Sequence, residues 1–137
     1  MLRPLAPMID ETTKKRMDDL RVSLLRLHKV LLDHERVAYE TVYGPIGSPG
    51  RVLSLVMSDP WFDWLHRISQ MIVKIDEIQE GEESSAAEAD AIFGDARALI
   101  LNKGPETEFM RRYKAALQKN SAAVLAHAQV LKSLHDD

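Results

Sequence analysis

The chain has 137 residues, 45% hydrophobic and 28% charged, with 18 Lys and Arg against 21 Asp and Glu, five His and no Cys. That length and balance suit one soluble domain with a substantial core, and a net charge of −3 without a basic cluster argues against nucleic acid. Disulfides, thiolate catalysis and Cys-ligated zinc are excluded, and no apolar run approaches the roughly 20 residues of a membrane span.

Residues 1–7 contain no apolar core of signal-peptide length, so a cytoplasmic protein is expected. Pro4 and Pro7 interrupt any helix and leave residues 1–8 as an irregular arm. A long helix then spans about 10–43, with Asp10 as N-cap and Thr13 too short to close a capping box. Gly44-Pro45 stops it. Ser48-Pro49 is an N-cap and first-turn pair that opens a short helix over about 49–57. Asp59-Pro60 repeats the device and opens a helix over about 60–79. Its Trp61, Trp64, Ile68, Met71, Ile75 and Ile78 recur at three and four, widened by Leu65 and Ile72. This is a core face, and its aromatic end, with Phe62, is also a candidate homodimer surface.

Residues 80–85 form a polar linker in which Ser84 or Ser85 caps the next helix, about 86–101. Ala89, Ile92, Phe93, Ala96, Leu99 and Ile100 are its inward face. Asn102-Lys103-Gly104-Pro105 ends it and starts a last helix over about 105–134. No stretch alternates with period two, so no strand is expected. Four principal helices with short connections predict an all-α fold. It is a single antiparallel up-down four-helix bundle with a short extra helix between helices 1 and 2, its first and last helices adjacent.

The first long helix carries polar groups on its inner face. Met17, Arg21, Leu24, His28, Leu31, Glu35, Ala38 and Val42 alternate four and three apart. Arg21, His28 and Glu35 fill every other position, and ionisable groups there are costly unless they pair, bind something or face a wet cavity. The last helix repeats the pattern, with Tyr113, Asn120 and His127 between Leu117, Val124 and Leu131. Antiparallel packing brings Arg21 toward His127, His28 toward Asn120 and Glu35 toward Tyr113. Three readings stay open: hydrogen bonds that fix helix register, a ligand or metal pocket walled by Trp61 or Trp64, and a groove for another protein. Lys119-Asn120-Ser121 also fits a helix break, with Asn120 or Ser121 capping a second helix.

Di-iron and hemerythrin-like centres in bundles need His and carboxylates three or four apart on facing helices. His28, His34, His66, His127 and His135 make no such pair with Glu or with one another. The nearest, Asp63-x-x-His66, lies toward the polar side of its helix. A single metal held by His28, Glu35 and His127 stays open, but His28 and Glu35 are two turns apart, about 10 Å along the axis, too far for one ion unless their side chains converge steeply. No metal ligand, catalytic residue or cofactor is assigned, and a small polar or anionic ligand is favoured over a metal. The loop over 44–50 lacks the Gly-Lys-Ser/Thr ending of a phosphate loop, and no Gly-x-Ser-x-Gly occurs. Asp76 is placed to pair with Arg21 or Arg97, and His34 lies on the flank of the first helix.

Ser48-Pro49-Gly50-Arg51-Val52-Leu53, then Asp59-Pro60-Trp61-Phe62-Asp63-Trp64-Leu65, come after Leu27-His28-Lys29, Glu35-Arg36 and Tyr39-Glu40. Together they resemble a family of small, uncharacterised bacterial all-helical proteins. The resemblance covers most of the chain, implies a bacterial cytoplasmic protein and carries no activity. A looser similarity to hemerythrin-like bundles is architectural, and the missing spacings keep metal residues from carrying across. The expected function is that of a small, non-enzymatic, cytosolic binding or interaction protein. Its site would lie between the first and last helices at Arg21, His28, Glu35, Tyr113, Asn120 and His127. The alternative is a ligand- or metal-dependent enzyme or sensor using His28 and Glu35.

Overall fold

Asp10 opens the first helix as its residue type predicts: its carboxylate accepts from the Thr13 amide at 2.8 Å. In this computed structural model, which describes residues 8–81, 84–101 and 104–135, that helix is α1 (Glu11–Tyr43). At 33 residues it is about 50 Å long. Gly44 ends it with φ 88°, a conformation costly for any residue with a Cβ, and returns its N–H to Glu40 O at 2.8 Å. The expected arm lies, except for Met8, outside the described residues, as do parts of the 80–85 linker and of the connection at 102–105.

Ser48 caps α2 (Pro49–Ser58), which has no fully buried residue. Asp59 accepts from the Trp61 amide at 2.9 Å, but it does not open one long α-helix. Pro60–Leu65 is a 3-10 helix, and α3 runs His66–Glu80. Three residues per turn stacks Trp61 over Trp64 and Phe62 over Leu65, so four large apolar side chains make two rows against the core. Phe62 and Leu65 are fully buried.

Ser85 caps α4 (Ala86–Ile100), whose six expected inward residues are all buried. Met8 makes an isolated bridge with Ser85, tying the start of α1 to that of α4. The last helix divides at Asn120 into α5 (Glu108–Lys119), capped by Thr107, and α6 (Ser121–Ser133). Asn120 accepts from the Ala123 amide at 3.1 Å. The break resets the helical phase. Ala123, Ala126 and Val130 turn inward, and Val124, expected in the core, is half exposed.

The described residues thus form six α-helices and one 3-10 helix, with no strand. α1 runs antiparallel to α3, with Arg21 beside Asp76 and Tyr39 beside Trp61. It also runs antiparallel to α6, with Asp19 beside Ser133 and His34 beside Asn120. α4 packs against α3 and α6. No helix among the described residues is long and apolar enough to cross a membrane.

Candidate functional site

The polar stripe of α1 faces α3 and the 3-10 helix, not α6. Residues 21, 28, 35 and 39 lie within about 40° of one another around a helix, and residues 19 and 34, which meet α6, are at least about 100° away. Periodicity identified the inner face, but that face is wide enough to have two flanks. The expected contacts of Arg21 with His127, His28 with Asn120 and Glu35 with Tyr113 are therefore not made.

At one end of this seam Arg21 Nε meets Asp76 Oδ1 at 2.5 Å, both side chains about one-third exposed (35% and 37%). Next along α1, His28 faces His66 at the start of α3. Burial, then the charge of His66, holds the His28 imidazole below its ordinary pKa. His66 Nε2 lies 2.9 Å from Val56 O, which anchors its ring to α2. At the far end, Tyr39 packs on Trp61 and Phe62, each with ring centroids 5.7 Å away.

Glu35 falls between these levels. It is 6% exposed, and its Oε2 is buried with no hydrogen-bond partner among the described residues. The indole Nε1 atoms of Trp61 and Trp64, on the facing 3-10 helix, are likewise buried and unpartnered. A buried carboxyl oxygen accepts and an indole N–H donates. α1 and the 3-10 helix packed on it thus carry one unused acceptor and two unused donors. Arg112 covers the Trp61 ring with Cζ 5.8 Å from its centroid, and Glu108 in turn holds Arg112 at 4.0 Å.

The other three expected site residues gather at the α5–α6 corner. Tyr113 and His127 would be about 21 Å apart on a straight helix. The turn at Asn120 instead sets Tyr113 Oη 2.6 Å from His127 Nδ1. Burial pushes the phenol well above its ordinary range and the imidazole below it, so both are neutral at neutral pH and the phenol donates to Nδ1. Asn120 uses Oδ1 for the cap, which aims Nδ2 at His34 Nδ1, 3.3 Å away. A row of rings, Trp64, Phe109, Tyr113 and His127, with centroids 5.4–5.6 Å apart, leads from the 3-10 helix to this corner.

The six expected residues therefore divide between two places rather than lining one pocket. Sequence spacing misses His66 as a neighbour of His28, although the Arg21–Asp76 pairing points near it: two turns up α1 from Arg21 lies opposite about two turns back from Asp76, at Ser69, one turn from His66. His34, expected on a flank, meets Asn120 there. Of the three aromatic residues at the candidate dimer surface, Phe62 and Trp64 are buried in the chain's own core and Trp61 is partly buried. Among the described residues, no three His, Asp or Glu side chains converge as a metal-ion set. Comparison of the chain with family models, curated proteins and solved structures finds no match.

Proposed function

We propose that the protein is a small, non-enzymatic binding protein of the bacterial cytosol, and that it binds its ligand in the α1–α3 seam at Glu35. The observation that carries this is the buried, unpartnered Glu35 Oε2 on α1, together with two buried, unpartnered indole N–H groups on the 3-10 helix packed against α1. Each such group costs about 1–3 kcal/mol in a protein that never uses it. The complementary ligand is a small polar molecule with a hydrogen-bond donor for Glu35 and an acceptor for an indole. The sequence resemblance to small bacterial helical proteins supports the setting. The antiparallel contacts of α1 with α3 and α6 support a four-body up-down bundle, in which α2 is the extra helix and the bent α5–α6 pair is the fourth body.

The alternative, an enzyme or sensor using His28 and Glu35, is less well supported. These two side chains stem from positions about 10 Å apart along α1, beyond joint action on one atom. Native mass spectrometry of the full chain, purified without denaturation, tests the binding reading. The expected result is a retained small molecule that Glu35→Leu releases. A wild-type chain found bare, or an adduct that Glu35→Leu keeps, overturns it.

A further inference from the structure

Arg67, Gln70, Met71 and Lys74 stand at i, i+3, i+4 and i+7 on α3, so one stripe of that helix sets two cations around an apolar residue. The stripe walls a cleft of about 370 Å³ between α3, α4 and the start of α5. Small-molecule sites run from roughly 300 to 1,000 Å³. The floor is apolar: Met71, Leu99, Phe109 and Met110 line it, and each is more than nine-tenths buried. The rim is charged. Neither Arg67 nor Lys74 has an ion-pair partner among the described residues, and Asp95 on the α4 wall closes a salt bridge to neither. α5 begins at the cleft's edge. Thr107 takes the Met110 amide on its hydroxyl at 3.2 Å and the Arg111 amide on its carbonyl at 3.1 Å. The Glu108 and Phe109 amides are left as first-turn donors.

We propose that this cleft binds a small amphiphilic anion, with a carboxylate or phosphate head held by Arg67 and Lys74 and an apolar body on Met71, Leu99 and Phe109. Two long cationic side chains two turns apart converge on one head group while their alkyl stems extend the apolar floor. Thr107, which lines the cleft, is the N-cap of α5, whose dipole favours negative charge at that end. Asp95, across the cleft, repels a second anionic group and accepts from a hydroxyl, which selects ligands with a single anionic head and a polar or apolar body. The cleft is lined by none of the Glu35 seam residues, so neither proposal depends on the other.

The test is an amide-shift NMR titration of the full-length chain with phenyl phosphate and with octanoate, using phenol as the neutral control. Both anions are expected to shift amides around residues 67–74 and 107–110 and to saturate, and phenol is not. Arg67→Gln and Lys74→Gln are each expected to weaken binding about tenfold, and Lys74→Arg to preserve it. The same spectra report whether the variants fold. Failure of both anions to saturate, equal shifts with phenol, or undiminished binding by Lys74→Gln overturns the proposal. So does sedimentation with phosphatidylglycerol vesicles that excess phenyl phosphate leaves intact, because the cations would then serve a membrane surface.

Discussion

The α1–α3 seam and the α5–α6 corner both set polar side chains into an apolar body, and they treat them differently. At the corner the polar atoms close on one another: Tyr113 on His127, and Asn120 on both the α6 cap and His34. In the seam only the flanking groups close, Arg21 on Asp76 and His66 on Val56, while Glu35 in the middle keeps a buried oxygen unused. Inward polarity by itself therefore marks no site. A corner that satisfies itself is architecture, and a seam left incomplete at its centre is where another molecule gains most by binding.

Substitutions break or sharpen this contrast, in descending size of effect. Glu35→Leu removes the unpartnered oxygen, so the ligand-free protein should become more stable by about 2 kcal/mol in denaturant titration; a loss of that size would make the seam as structural as the corner. Asn120→Ala should go the other way, losing about 1–2 kcal/mol as α6 gives up its cap. Tyr113→Phe leaves His127 Nδ1 without its donor and should cost about 1 kcal/mol. A neutral effect there would mean that the corner is held by packing alone.

Acid should act next. Burial holds His28 and His127 below their ordinary value of 6.5, so the unfolded chain takes up those protons first. Stability should then fall as pH drops through 6.5 and continue falling until the folded imidazoles titrate. Melting temperatures between pH 7 and 5 measure this slope, and His127→Gln should flatten it. The smallest change is expected from Arg21→Ala. Its ion pair is about one-third exposed, and its loss should cost under about 1 kcal/mol, less still in high salt.

Much of this fold is legible in the sequence because it depends on neighbours in the chain. Asp10, Ser48, Asp59 and Ser85 each cap where a short polar side chain precedes a helix, and the α4 face comes from 3.6-residue periodicity alone. Trp61 to Leu65 read as α-helix because their apolar spacing fits it; the 3-10 geometry depends on how the aromatic rows pack, which is tertiary information. The candidate residues were legible as inward polar groups, but apart from Asp76 for Arg21 their partners were not. Periodicity shows that Arg21, His28 and Glu35 turn inward, and it is silent on which flanking helix they meet. The break at Asn120 was readable as an alternative to one continuous helix. Choosing between the two needs the energy of Tyr113 meeting His127, a contact that exists only once the chain has bent.

Asn120 is the whole of the connection between two helices. Its N–H closes the last turn of α5 on Ala116 O at 2.9 Å, and its side chain opens the first turn of α6. A joint of one residue has no slack, so the end of α5 and the start of α6 must loosen together. In hydrogen exchange the amides on either side of Asn120 should share one opening rate. A glycine inserted there would uncouple them.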